Sequence, residues 1–282
     1  MQRRGDMSEI QSWEFEGLAG HTRPGPGPRV LWLHGYTLDA TSWRPMWDLL
    51  PDFHHVGVDL PGHGGSRPLA DDETLQTLGQ KLHRLCAAEQ LHHLAAVSYG
   101  TITAIQTAIE RPDWFRSITL GAPAMAGGPR DPGMEQAFMR LFQLTMMRRP
   151  PSAIRDAWLA SPAWQGVDRH PALKAQLIPI VERHPWHELR DFRMSLRMTS
   201  PPQSLDALRA VQSPLLVLIG EHEMPAYRQT AEQLEETVPH GSVVELPGVG
   251  HLCLLEDPER CAERLAAHVR QHDLPLPREA AP

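Results

Sequence analysis

Leu94-Ala95-Ala96-Val97-Ser98-Tyr99-Gly100-Thr101 is the stretch whose reading decides the fold. LAAV at 94–97 has strand length and ends on a serine set among small residues. Directly after it, Ile102, Ile105 and Ile109 share one face at helical spacing. A strand that turns at once into a helix is the repeating half-unit of a parallel sheet. The same pattern recurs outward in both directions: VLWL at 30–33, HVGVDL at 55–60, FRSITL at 115–120, LLVLI at 215–219 and SVVEL at 242–246. These runs are apolar throughout rather than alternating, as strands covered on both faces are. Helical patterns lie between them, with Leu75, Leu78, Leu82 and Leu85 on one face, and Cys261, Leu265 and Val269 on another. An α/β chain with a mostly parallel sheet and helices on both faces follows, with its site at the strand C-termini.

The alternation stops at 124–201, which holds no convincing strand. MEQAFMRLFQLTMM at 134–147, then 153–159, 172–183 and 186–198, read as inserted helices. The core is thus expected to be discontinuous, 1–123 with 202–282, and 124–201 to form a helical cap. The first ten residues and the Pro-rich tail from Asp273 read as loosely ordered.

Composition narrows the function. The 282 residues carry a net charge of −7 and are 41% hydrophobic, which suits a full core and disfavours nucleic acid or an anionic membrane as partner. Three cysteines, an odd number without a C-x-x-C, suggest neither a disulfide framework nor a zinc site. The basic N-terminus is followed by no apolar stretch, and no run approaches the roughly 20 residues that span a bilayer. A soluble, cytoplasmic protein acting on a small molecule is expected.

Ala96-Val97-Ser98-Tyr99-Gly100 approximates the G-x-S-x-G turn that projects a serine hydroxyl from a sheet edge. Gly100 fits the crowded position and Ala96 departs from it by one methyl. The competing reading of Ser98 is a helix-capping serine. His34-Gly35-Tyr36-Thr37 follows an earlier strand; the backbone N–H groups of Tyr36 and Tyr99 would form an oxyanion hole. His34 itself reads mainly as a structural histidine, though it is kept as a pocket candidate. Gly248-Val249-Gly250-His251 follows the last strand, where a loop histidine can act as base on Ser98. There are 16 histidines, so His251 stands out by position alone. Gly220-Glu221-His222-Glu223 offers two carboxylates to that histidine, Glu221 and Glu223. The order serine, acid, histidine, each at a strand end, favours a catalytic set over four coincidences.

With LHGY (33–36), Trp43, DLPGHGGS (59–66), VSYGT (97–101), LIGEHE (218–223) and PGVGH (247–251), the chain resembles the α/β-hydrolase superfamily over about residues 12–272. Within it, the resemblance is to the capped subgroup of small esterases, carbon–carbon hydrolases and lactonases. It implies the α/β-hydrolase fold with an inserted helical cap, and Ser98, Glu223 and His251 as nucleophile, acid and base. Glu223 stands where the subgroup usually has Asp. The implied activity is hydrolysis of a carboxylic ester or thioester of a small, largely apolar acyl substrate, through an acyl-enzyme and without cofactor or metal. The alternative is a carbon–carbon bond hydrolase, a lyase, or a synthase like the cyclohexadiene carboxylate synthase of the menaquinone pathway; a receptor with a vestigial triad is disfavoured because all three groups are present. Phe138, Phe142, Met146, Trp158 and Trp164, with His34, are the candidates for the apolar pocket. Arg140, Arg148, Arg149, Arg190, Arg193 and Arg197 in the same segment read mostly as solvated helix faces.

Overall fold

The computed structural model describes residues 9–191 and 195–273; the stretches 1–8 and 274–282 of the ends read as loosely ordered, and Arg193, lie outside them. The sheet has eight strands: β1(Gln11–Phe15), β2(Leu18–Arg23), β3(Arg29–Leu33), β4(His54–Asp59), β5(His93–Val97), β6(Ser117–Gly121), β7(Leu215–Gly220) and β8(Gly241–Leu246). Their spatial order is β1-β2-β4-β3-β5-β6-β7-β8, with every pairing from β4 onward parallel. The helices are α1(Arg44–Leu49), α2(Leu75–Glu89), α3(Tyr99–Glu110), α4(Pro132–Met146), α5(Pro151–Leu159), α6(Pro171–Arg183), α7(Glu188–Asp191), α8(Leu205–Arg209), α9(Pro225–Thr237), α10(Cys253–Glu256) and α11(Pro258–His272).

Burial explains why the central strands have no polar alternation. Every residue of β5, β6 and β7 is buried, because helices cover both faces. One layer contains α2, α3, α8 and α9, and the other contains α1, α10 and α11. The edge strands β1 and β8 instead mix exposed and partly buried positions. This is the mostly parallel α/β architecture with helices on both faces that the apolar runs predict.

The antiparallel hairpin β1–β2 is not among the predicted strands. Phe15 pairs with Leu18, leaving the two-residue turn Glu16-Gly17 with φ of 48° and 85°. Positive φ at both positions is the twist-matched hairpin turn, which favours a glycine. Gln11-Ser-Trp-Glu-Phe15 alternates apolar and polar residues, a weak signal at an edge that buries little.

The parallel pairings bring the C-terminal ends of β3, β5, β7 and β8 to one rim, with the helices α4 to α7 following β6 at the same chain interruption that the sequence shows. The segment 186–198 is less regular than a single helix: α7 is short and Ser195–Thr199 is a π turn. All three cysteines are buried and unbridged. Among the described residues no helix is long and apolar enough to cross a membrane.

Candidate active site at the strand C-termini

Ser98 stands between β5 and α3 at φ 52°, ψ −121°. A non-glycine residue there is strained, and such strain persists only where the surroundings over-determine it. The surroundings are tight: a Cβ on Gly100 would lie 2.5 Å from the His34 carbonyl oxygen and 2.6 Å from that of Leu33. Only glycine lets α3 begin so close to β3. Ala96, by contrast, is fully buried in β5, and its extra methyl is packed without loss of the turn. The Ser98 side chain makes no capping hydrogen bond to α3.

Instead, Ser98 Oγ lies 2.7 Å from His251 Nε2. His251 Nδ1 lies 2.8 and 3.0 Å from the two Glu223 carboxylate oxygens. A carboxylate only accepts, so Nδ1 carries a proton and donates it to Glu223. In the neutral imidazole, Nε2 is then a bare acceptor facing the serine hydroxyl. Glu223 is held in turn by the Met224 N–H at 2.8 Å, and its side chain has no exposed surface. The Tyr227 ring stands edge-on to the imidazole, 4.4 Å between centroids. Glu221 points elsewhere and accepts from the Gly248 N–H at 2.8 Å. The His251 loop crosses the end of β7 so closely that a Cβ on Gly220 would lie 2.4 Å from the Gly250 and Val249 carbonyl oxygens.

The loop after β3 runs beside Ser98. Tyr99 is the first residue of α3, so its N–H is one of the helix's donors without an intrahelical acceptor. Next to Tyr36, Thr37 adopts φ 64°, an outlying value for a β-branched residue. Its hydroxyl donates to the Tyr36 carbonyl at 2.6 Å and accepts from Trp158 Nε1–H at 2.8 Å. His34 is fully buried. Its Nδ1–H donates to the Gly35 carbonyl at 2.8 Å, and its Nε2 accepts from the Leu60 N–H at 2.9 Å. Burial pushes its pKa down, which keeps the ring neutral as a staple between the ends of β3 and β4. The DLPGHGGS stretch is organised the same way: the Asp59 carboxylate accepts from Ala40 N–H at 2.7 Å and Gly65 N–H at 2.8 Å.

The Tyr36 ring collects the aromatic groups, with centroids of Trp158 at 5.0 Å, Phe138 at 5.4 Å, His184 at 5.6 Å and Trp186 at 6.3 Å. Its hydroxyl donates to Glu188 Oε1, which also accepts from His184 Nε2–H at 3.0 Å. Burial, reinforced by the Glu188 charge, lifts the Tyr36 phenol well above its ordinary pKa, so it stays a donor. Burial would raise Glu188 too, but the hydrogen bonds from His184 and Tyr36 outweigh it and hold the carboxyl below its usual range.

Of the apolar pocket candidates, Phe138 and Trp158 meet at Tyr36, with 5.6 Å between their own rings. Phe142 is partly buried one turn further along α4. Trp164 is buried in the core, and Met146 is 65% exposed at the end of α4. The roles of His63, His184, Glu188 and Glu256 escaped the sequence reading. The four-residue spacing of His184 and Glu188 was readable, but nothing in the chain marked that histidine among the others. Among the arginines, Arg197 donates to the Ala70 carbonyl at 3.2 Å, while Arg140, Arg148, Arg149 and Arg190 are exposed. A cavity of about 250 Å³ lies beyond Thr37, lined by Asp39, Asp59, Arg183 and His184 among others; neither Ser98 nor His251 borders it.

Comparison with known proteins agrees with the fold. The sequence profile described as the alpha/beta hydrolase family matches residues 30–264. Carboxylesterase YbfK of Bacillus subtilis is 27% identical over 253 residues, covering 86% of this chain and 80% of the relative. The pimeloyl-[acyl-carrier protein] methyl ester esterase of Methylococcus capsulatus is 28% identical over 202 residues, 71% of this chain and 78% of the relative. The 2-succinyl-6-hydroxy-2,4-cyclohexadiene-1-carboxylate synthase of an Enterobacter strain is 25% identical over 260 residues, 90% of this chain and 96% of the relative. Among solved structures, a thermophilic esterase from Thermogutta terrifontis superposes with a TM-score of 0.74 at 24% identity, covering 94% of this chain and 98% of that one.

Proposed function

The chain belongs to the alpha/beta hydrolase family, and on that premise we propose that it hydrolyses carboxylic esters or thioesters of a small, largely apolar acyl group through an acyl-enzyme on Ser98. The observation that carries the reading is the continuous line from Ser98 Oγ to His251 Nε2 at 2.7 Å and from His251 Nδ1 to Glu223 at 2.8 Å. Esterase relatives at 27% and 28% identity support the reaction class.

The chemistry follows from the line. Ser98 Oγ attacks the carbonyl carbon as its proton passes to His251 Nε2. The imidazolium so formed is stabilised by the buried Glu223 carboxylate. Negative charge collects on the former carbonyl oxygen, where the Tyr36 and Tyr99 N–H groups donate to it. Collapse of the intermediate breaks the bond to the alkoxide or thiolate, which leaves with the proton from His251. Water then attacks the acyl-Ser98, giving its proton to Nε2, and collapse releases the acid and restores the serine. The 124–201 segment acts as a helical cap over the 1–123 and 202–282 core, with Phe138 and Trp158 on the acyl side.

A p-nitrophenyl ester series from acetate to decanoate, run with wild type beside Ser98→Ala, tests this. Turnover by wild type and a fall of about 10⁴-fold or more in the variant is expected. Full activity in Ser98→Ala sinks the acyl-enzyme. A second reading, carbon–carbon or synthase chemistry, is favoured by the 96% coverage of the synthase relative. It predicts no ester turnover by a correctly folded wild type.

A further inference from the structure

Three of the helices that follow β6 each reach the loop after β3. From α5, Trp158 Nε1–H donates to Thr37 Oγ1 at 2.8 Å. From α6, Arg183 donates to Asp39 Oδ2 at 3.0 Å. From α7, Glu188 accepts from the Tyr36 hydroxyl, and His184, four residues earlier, fixes that carboxylate at 3.0 Å. The Arg183 side chain is 58% exposed, so its ion pair contributes little. The other two bonds join side chains that are almost wholly buried, where losing a partner is costly.

The loop they reach contains a turn under strain. Leu38 N–H donates to the Gly35 carbonyl at 3.1 Å, closing a four-residue turn with Tyr36 and Thr37 at its centre. Thr37 takes the third position at φ 64°, where a turn favours glycine. The turn stands against Ser98: a Cβ on Gly35 would lie 3.6 Å from Ser98 Cβ. A flip of the peptide between Tyr36 and Thr37 would relieve Thr37, because the commonest turn has negative φ at that position. The Thr37 hydroxyl opposes that flip. It donates to the Tyr36 carbonyl at 2.6 Å, and the Trp158 N–H holds it there. Tyr36 is thus tethered on two sides of its Cα, at the carbonyl through Thr37 and at the ring through Glu188. Its N–H, on the remaining side, is left little freedom to turn.

We infer that Trp158 and Glu188 are positioning residues for the oxyanion hole. Through Thr37 and the Tyr36 ring they fix the Tyr36 N–H, so the inserted helices complete the catalytic machinery as well as enclosing the substrate. The inference rests on the reading of Ser98 as nucleophile and of the Tyr36 and Tyr99 N–H groups as oxyanion donors. Tyr99 needs no such help, because its N–H is carried on α3, which packs on α2, β3 and β5. One half of the hole is therefore built by the core and the other half by the helices after β6. A donor stabilises an oxyanion only when aimed at the place where charge develops. Loosening one lowers kcat without weakening ground-state binding.

The experiment measures kcat and KM for p-nitrophenyl butyrate, and the inhibition constant of a trifluoromethyl ketone of matching chain length, whose adduct with Ser98 carries the oxyanion. Wild type is compared with Thr37→Val, Thr37→Ser, Trp158→Phe, Tyr36→Phe and the double variant carrying Thr37→Val and Trp158→Phe. Folding of each is checked by circular dichroism and melting. Thr37→Val, Trp158→Phe and Tyr36→Phe should each lower kcat by about 10–100-fold, less than outright loss of an oxyanion donor, with KM within about threefold. The inhibition constant should rise by about the factor by which kcat falls. Thr37→Ser keeps the hydroxyl and should stay within about threefold of wild type. The double variant should lose no more than about threefold beyond Thr37→Val, because both substitutions cut the same chain of bonds. Unchanged kcat and inhibitor binding in folded Thr37→Val or Tyr36→Phe overturns the inference and leaves the esterase reading standing. A rise in KM alone, the mark of a pocket wall, does the same, as does a loss in Thr37→Ser equal to that in Thr37→Val. If Trp158→Phe does not fold, Thr37→Val and Tyr36→Phe decide. Failure of folded wild type to cleave the ester or bind the ketone removes the esterase reading, and the inference with it.

Discussion

Glu256 brackets His251 without touching it. Its Oε2 accepts from the Gly250 N–H at 2.8 Å and its Oε1 from the Leu252 N–H at 2.9 Å, so one buried carboxylate grips the residues on either side of the histidine. A Cβ on Gly166 would lie 2.3 Å from that carboxylate, which leaves it no room to turn away. In Glu256→Gln one of the two acceptors becomes an NH₂ group facing an N–H. We expect kcat to fall by about 10–100-fold with KM nearly unchanged, because misplacing a catalytic group by a fraction of an ångström is costly. Steady-state kinetics with a p-nitrophenyl ester decides it; an unaltered kcat would separate Glu256 from the placement of His251.

Glu223 and Glu221 are two residues apart and have different surroundings. Glu223→Gln presents an amide to Nδ1 and disturbs the tautomer, so kcat should fall by about 10⁴-fold. Glu221→Gln should change kcat by less than about twofold, since Glu221 bonds the Gly248 N–H at the surface. The same ester assay on both variants checks the pair, and a large loss at Glu221 would reassign the acid.

Gly100→Ala should destabilise the fold by about 3 kcal/mol, the upper end of ordinary overpacking. The new methyl would meet two backbone carbonyl oxygens at 2.5 and 2.6 Å, and neither can rotate aside. Thermal melting is expected to show a drop of roughly 6–12 °C for a chain of this size. Ala96→Gly should leave ester hydrolysis within about twofold, costing about 0.5–1 kcal/mol as a glycine in a strand.

Acid should unfold the protein through its buried histidines. Burial lowers the pKa of His55 and of His93 from 6.5 to about 4 in the folded protein. The unfolded chain therefore binds protons that the native state refuses, and stability is lost as pH falls from about 6.5 towards 4. Each group corresponds to about 3 kcal/mol across that window, present in full above it. His55 is stacked on Trp47 with its Nε2–H donated to the Leu50 carbonyl at 2.9 Å. Urea unfolding at pH 7, 5.5 and 4.5 should show the loss in wild type and a shallower one in His55→Phe. Equal pH slopes in the two proteins would remove His55 from the account.

The parts of this molecule legible in the sequence are those with a local physical signature. A continuous apolar run such as LLVLI, read at 215–219, marks β7 because burial on both faces leaves no room for polar alternation. Ser98 was marked by the small residues that its turn requires. The hairpin at Gln11–Arg23 lacked such a mark, since its short strands bury little and its turn carries Glu rather than Asn before the glycine. The inward face of α4 was unmarked for another reason. Apolar side chains run around α4, so period alone does not say that Leu141 and Leu144 face inward while Met139 and Met146 face out. Glu188 had no local signal for its bond from Tyr36, which is brought from a distant part of the chain.

Among the hydrogen bonds that cross between the helices after β6 and the loop after β3, two flank the strained turn: Trp158 to Thr37 at 2.8 Å, and Tyr36 to Glu188. They tie the inserted helices to the turn beside Ser98. Exchanging the whole helical segment with that of another family member would bring in a foreign pocket, but it would also strip the supports from a backbone turn held at φ 64°. The enzyme is therefore not modular at this seam. Transplanted helices would need a tryptophan and a carboxylate at the matching points to keep that turn in place.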